Sequence, residues 1–258
     1  MSNPHGSFIW YELMTSDPKA ATAFYTKVLG WQVAPFHDQA STGTYDIITA
    51  PDGISVGGMM APPEGGPPPA WFGYICVDDV DACAADITAQ GGSIHMPPTT
   101  IEGVGRLAMV ADPQGAMFYI MRGASEGDSS AFSPDPQAIG HCTWNELVAV
   151  NQDAVLPFYS GLFGWEKSGA MPMGEMGDYS FLTHAGLAIG AMMNRQDAAQ
   201  PPRFQFHFRV ADLDAAMAAV TAAGGTLVYG PHDVPGGERV AFASDPQGAV
   251  FGMVHRAG

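Results

Sequence analysis

Between Phe8 and Met14 aromatic, aliphatic and polar residues alternate (FIWYELM), which predicts a strand. Ser16 or Asp17 offers an N-cap ahead of Pro18, so a helix is expected from there through Phe24 and Tyr25 to a stop at Gly30. Strands are expected around Gln32–Pro35, Thr44–Thr49 and Ile54–Met60. The run from Pro62 to Pro69 (PPEGGPPP) is a break that no helix or strand interior tolerates. Beyond it Trp71–Val77 reads as a strand and Val80–Gln90 as a helix ended by Gly91-Gly92. Each side of the break therefore has one order: a strand, a helix, then two or three strands. The clearest alternation in the chain is Phe204–Val210 (FQFHFRV). It sends the phenylalanines to one face and Gln205, His207 and Arg209 to the other.

The whole pattern occurs twice. Trp10, Glu12, Leu13, Phe24, Tyr25, Gly30 and Trp31 recur as Trp144, Glu146, Leu147, Phe158, Tyr159, Gly164 and Trp165. The register continues through Gly57 and Gly190, Arg106 and Arg239, and Asp112-Pro-Gln-Gly-Ala116 and Asp245-Pro-Gln-Gly-Ala249. A shared register of this length marks a duplication. It predicts a domain over 1–122, a linker over 123–139 and a second domain over 140–258. The linker is rich in Gly, Ser, Asp and Pro, as an exposed connector should be. Four βαβββ modules result, two per domain.

Composition narrows the partners. Twenty-six acidic against ten basic residues give a formal net charge of −16, which repels phosphate backbones and anionic lipid. Neither nucleic acid nor membrane is expected as a partner. The start of the chain lacks the basic and apolar run of a signal peptide, and three cysteines without C-x-x-C spacing suit a reducing compartment, so a cytoplasmic location is expected. Since a tandem chain supplies both halves of a pseudo-dimer, a monomer is the expected state.

The strand and helix leading to Phe-Tyr-x-x-x-Leu-Gly-Trp, the opening Val77-Asp78-Asp79-Val80-Asp81 and the Asp-Pro-Gln-Gly turns together resemble the vicinal oxygen chelate superfamily. That group comprises glyoxalase I, bleomycin- and fosfomycin-resistance proteins and extradiol dioxygenases. The resemblance implies an α+β fold of paired βαβββ modules, each pair forming an open curled sheet around a cavity for a small organic molecule. Its metal-using members carry a donor on the first strand, one near the end of the first module, one on the second module's first strand and one on the last strand. Carried over, these positions fall at Trp10 and Trp144, Met59-Met60 and Met192-Met193, Phe72 and Gln205, and Tyr119 and Gly252. Indole, phenyl and glycine are not metal donors, so neither metal nor cofactor is expected.

What stands at those positions supplies the candidate site. Alternation places Glu12 beside Trp10 and Glu146 beside Trp144 on the cavity face, with Arg106 and Arg239, present in both copies, as candidate partners. The alternative for each Glu is exposure at a strand end or a purely structural pair. In the second domain Gln205, His207, Arg209 and Glu146 would make a polar floor for a carboxylate, phosphate or enolate-like group, with His207 and Glu146 as acid or base. The alternative there is a solvated sheet face. Phe72, Tyr74 and Cys76 stand at the same places in the first domain, whose lining is expected to be aromatic. The resulting expectation is a binding protein for a small organic molecule. The alternatives are a glyoxalase-like lyase or isomerase, or a dioxygenase, using a shifted metal set such as Glu146, His207 and His184 or metal-free acid and base groups. His5 is expected in a mobile tail.

Overall fold

The computed structural model describes residues 3–36 and 45–256. The first module is β1 (Phe8–Met14), α1 (Pro18–Leu29), β2 (Gln32–Pro35), β3 (Tyr45–Thr49) and β4 (Ser55–Met60). The second is β5 (Ala70–Cys76), α2 (Val80–Ala89), β6 (Ser93–Ile101), β7 (Gly105–Ala111) and β8 (Met117–Gly123). The third is β9 (Cys142–Ala149), α3 (Gln152–Phe163), β10 (Glu166–Pro172), β11 (Asp178–His184) and β12 (Leu187–Asn194). The fourth is β13 (Arg203–Arg209), α4 (Leu213–Ala222), β14 (Thr226–Val234), β15 (Glu238–Ser244) and β16 (Val250–Arg256). The strands form two eight-stranded sheets of equivalent order, β2-β3-β4-β1-β5-β8-β7-β6 and β10-β11-β12-β9-β13-β16-β15-β14. This is the expected α+β architecture of tandem domains built from paired modules. Thr44, expected to open β3, lies outside the described residues.

Local chemistry sets the helix ends. The Asp17 carboxylate, rather than Ser16, caps α1 by accepting from Ala20 N, and Asn151, Asp79 and Asp212 do the same for the other three helices. Gly30 and Gly164 end α1 and α3 in the left-handed conformation.

Packing gathers the chain into two compact units, and each takes one module from each repeat. One comprises Met1–Ile9, Phe72–Ser129 and Trp144–Phe204; the other comprises Trp10–Trp71, Ser130–Thr143 and Gln205–Gly258. In the second of these, Trp31 packs against Phe208 and Trp71 with ring centroids 4.9 and 5.6 Å apart, and its indole donates to Gly140 O at 2.8 Å. The Tyr25 hydroxyl donates to Asp245 Oδ2 at 3.1 Å and accepts from Trp71 Nε1 at 3.0 Å. The first unit repeats the scheme. Trp165 stacks on Tyr159 and donates to Gly6 O at 2.8 Å, while the Tyr159 hydroxyl donates to Asp112 Oδ2 at 3.0 Å. Asp112 and Asp245 are the first residues of the Asp-Pro-Gln-Gly turns, whose backbone N–H groups they also accept through Oδ1. Burial pushes both carboxyls above the usual aspartate range, and it pushes both phenols up further, so the tyrosines remain donors.

The expected linker is not an exposed connector throughout. Ser129 Oγ donates to Ile9 O at 2.6 Å, Ala131 is fully buried, and Phe132 bridges to Cys142. Nor is His5 in a loose tail: its ring meets Leu162 O at 2.7 Å and accepts from Asp78 N. Polar partners that secondary structure does not provide thus tie down both segments.

The tyrosines make a graded prediction. Tyr159→Phe orphans one buried group, Asp112, and should lower the unfolding free energy by about 1–3 kcal/mol. Tyr25→Phe orphans both Asp245 and the Trp71 N–H, so it should cost more. Urea denaturation of the two variants checks the order.

Candidate functional site

β1 and β9 hold their predicted residues in one arrangement. On β9, Trp144 Nε1 donates to the Tyr179 hydroxyl at 2.8 Å, and that hydroxyl donates to Glu146 Oε2 at 2.7 Å. On β1, Trp10 Nε1 donates to the Tyr45 hydroxyl at 2.9 Å. Glu12 pairs in register with Gly58, and a Cβ at Gly58 would lie 2.0 Å from the Tyr45 hydroxyl. A side chain there would expel the phenol from the face that carries Glu12. Glu12 and Glu146 are only 2% and 5% exposed, so neither sits in water at a strand end. Burial, followed by the negative charge of Glu146, pushes the Tyr179 phenol well above its ordinary range. It is a fixed donor at neutral pH. Arg203, on β13 in the same unit, feels the Glu146 charge, which opposes the lowering that burial imposes on it.

Arg106 and Arg239 do not take the expected place beside the glutamates. Arg106 grips Asp81 through Nε and Nη2, both at 2.6 Å, and donates to Thr100. Arg239 grips Asp214 at 3.0 and 3.1 Å. Both aspartates lie in the first turn of a helix, α2 or α4, and the guanidinium holds each carboxyl below the usual range. These are exposed structural pairs.

The β13 face is buried rather than solvated, with Gln205, His207 and Arg209 at 8%, 3% and 2% exposure. His207 pairs in register with Gly252 on β16, and its ring meets Phe242 edge-on at 4.8 Å. A Cβ at Gly252 would come within 2.6 Å of His207 Nδ1, so glycine makes the room for that ring. In the first repeat the same register positions hold Tyr74 and Tyr119, stacked at 4.2 Å, with Phe72 edge-on to Tyr119 at 6.3 Å. A buried aromatic face in one repeat and a buried polar one in the other therefore stand on matching strands.

The indole nitrogens at the carried-over first-strand positions are donors engaged by tyrosines, and Gly252 offers no side chain. Among the described residues, no three His, Cys, Asp or Glu side chains are grouped to hold a metal ion. His184, part of the shifted set considered above, instead packs beside Gly6, and burial lowers its pKa. The residues present do not fit the metal centre of metal-using relatives.

Sequence reading missed Tyr45 and Tyr179, although each stands 35 residues after its tryptophan in both repeats. That shared spacing is the signal that could have found them. Arg203 and Phe242 were also missed, and nothing in the local pattern distinguishes them.

Comparison with known proteins agrees with this architecture. The family model for the Glyoxalase/Bleomycin resistance protein/Dioxygenase superfamily matches residues 7–120 and 138–253. "Putative glyoxylase CFP32" of Mycobacterium bovis is 33% identical over 251 residues, covering 96% of this chain and 94% of that one. "Anthracycline biosynthesis protein DnrV" of Streptomyces peucetius is 29% identical over 270 residues, covering 96% and 93%. Among solved structures, the Mn(II)-bound glyoxalase from Novosphingobium aromaticivorans superposes with a TM-score of 0.68 at 17% identity, covering 99% of this chain and 83% of that one. The 2,3-dioxygenase LapB from Pseudomonas sp. KL28 gives 0.66 at 14% identity, covering 99% and 94%. At such identities the structural matches speak for the fold alone.

Two outcomes follow from the geometry. Gly252→Ala should destabilise the protein by about 1–3 kcal/mol through overpacking and displace the His207 ring, visible as a changed imidazole NMR shift. Arg239→Ala should return the Asp214 carboxyl to the ordinary aspartate range in an NMR titration. The depressed pKa gives the wild type stability that is lost only as pH falls through the folded-state value, and the variant should lack that acid-side loss.

Proposed function

We propose, for a chain that belongs to the Glyoxalase/Bleomycin resistance protein/Dioxygenase superfamily, that it binds a small organic molecule without the metal centre of its metal-using relatives. The observation that carries this reading is the paired indole–phenol arrangement of Trp10 with Tyr45 and Trp144 with Tyr179. It stands where the resemblance puts the first metal donor, and it fills that place with aromatic surface and hydrogen-bond donors. Such a lining suits a partly aromatic ligand with a few polar groups. The name of the Streptomyces relative, an anthracycline biosynthesis protein, is compatible with small-molecule chemistry of this kind.

A second reading, a metal-free lyase or isomerase, has its own observation. Glu146 is buried and held by the Tyr179 phenol, within the electrostatic reach of Arg203. A carboxylate so placed is oriented to take a proton from a bound molecule, and the fixed phenol is a ready donor to the anion that results. His207 is the other candidate for that proton.

The two readings separate in one series. Tryptophan fluorescence titrated with a panel of hydroxylated aromatic compounds should respond, and dialysis against a chelator should leave the affinities unchanged. Stoichiometric manganese, iron, nickel or zinc in the purified protein, together with loss of binding on chelation, would sink the metal-free reading. Chemical conversion of a bound compound, followed by NMR and abolished by Glu146→Gln, would establish the second reading over the first.

A further inference from the structure

The fourth module contains a buried cation whose hydrogen bonding is incomplete. Arg209 ends β13 and is 2% exposed. Its Nη2 donates to Thr143 Oγ1 at 2.8 Å and meets Glu238 Oε1 at 2.9 Å. Its Nε and Nη1 are buried and have no hydrogen-bond acceptor. The backbone on both sides is clamped: Arg209 N donates to His141 O, and Arg209 O accepts from Gly140 N. The guanidinium therefore cannot gain acceptors by a simple slide of the strand.

Arg209 shares its face of β13 with His207 and Gln205. Glu238 and Phe242 lie on the corresponding face of β15, Phe242 opposite Gly252 and thus beside the His207 ring. Tyr229 on the edge strand β14 follows at 6.3 Å from Phe242 and is 53% exposed. A row of rings thus runs from solvent at Tyr229 through Phe242 to the buried His207, with the guanidinium two residues further along the same strand.

A guanidinium stripped of water needs an acceptor for each N–H, and an unpaired one is costly. Glu238 balances the charge but reaches only Nη2. The remaining N–H groups suit an anionic oxygen, to which their hydrogen bonds are about twice as strong as to a neutral one. The chain as a whole, at −16, repels anions, so a single anionic group can be received only where a fixed cation is built in. The device belongs to one repeat only. Ile9, Cys76 and Gly105 occupy the positions of Thr143, Arg209 and Glu238 in the other.

We infer that Arg209 receives the carboxylate of an aromatic acid whose ring lies along His207, Phe242 and Tyr229. The inference rests on the small-molecule binding reading above and narrows it to a ligand class.

Calorimetric titration of the full chain with benzoate and with benzamide, its uncharged counterpart, tests it. Benzoate should bind at least tenfold more tightly than benzamide at neutral pH, and Arg209→Met should erase the difference. Because Arg209→Met strips Glu238 of its partner, the double variant Arg209→Met with Glu238→Gln removes both charges and should melt close to the wild type while showing the same loss. Equal affinity for the two probes would overturn the Arg209 assignment and leave the small-molecule reading intact, since that reading is judged by the tryptophan titration. A benzoate preference that survives in the double variant, or no binding of benzoate at all, would overturn it as well.

Discussion

Two buried hydrogen bonds, Tyr25 to Asp245 and Tyr159 to Asp112, hold the frame on which everything else is mounted. Each joins a helix of one repeat to the Asp-Pro-Gln-Gly turn of the other. A carboxyl this buried must find donors, and the turn's own backbone supplies only those for Oδ1. The phenol completes the set for Oδ2. Because the tyrosine lies on the helix and the aspartate opens the turn that leads into the last strand of a module, satisfying the carboxyl docks one on the other. Trp31 and Trp165 add a second link of the same kind through Gly140 O and Gly6 O. The modules of the duplication exchange partners, and each compact unit needs sequence from both copies.

A frame secured by these links leaves the opposite strand faces free to diverge. The matched pairs show how far they have gone. Tyr74 stacked on Tyr119 in one repeat corresponds to His207 over Gly252 in the other. Two stacked rings stand in one repeat where one ring and a glycine stand in the other. The second buys a titratable group at the cost of a position that tolerates no Cβ. By contrast Trp10 with Tyr45 and Trp144 with Tyr179 are alike in the two copies.

Much of this was legible from residue patterns, and what was not has physical reasons. Asp17, Pro18 and Gly30 bound α1 through local backbone chemistry, so the sequence locates that helix directly. The alternation of Phe204 to Arg209 correctly separated two faces because a strand's side-chain period is fixed. That period says nothing about what covers a face, and the burial of Gln205, His207 and Arg209 became visible only in three dimensions. Arg106 and Arg239 misled because recurrence in both copies marks a structural pair as readily as a binding group. Their partners Asp81 and Asp214 sit 25 residues earlier, on helices whose position over the strands the sequence does not encode locally. The Tyr–Asp links were hidden for the same reason, since 220 residues separate Tyr25 from Asp245.

The metal-free reading proposed above has an electrostatic consequence. A divalent ion would supply concentrated positive charge to stabilise an anionic group in a dry site. Without it, any such charge must come from side chains, and this chain has only ten lysines and arginines to set against twenty-six acids. Several of the arginines are spent on the surface, as Arg106 and Arg239 are on helix-start aspartates. Arg209 differs in that it is buried, clamped through its backbone and only partly neutralised by Glu238. A cation kept in that condition is costly unless something anionic completes its coordination. In the other repeat Cys76 stands in place of Arg209, and the guanidinium near it, Arg122, is partly exposed and paired with Asp78, so water can reach it.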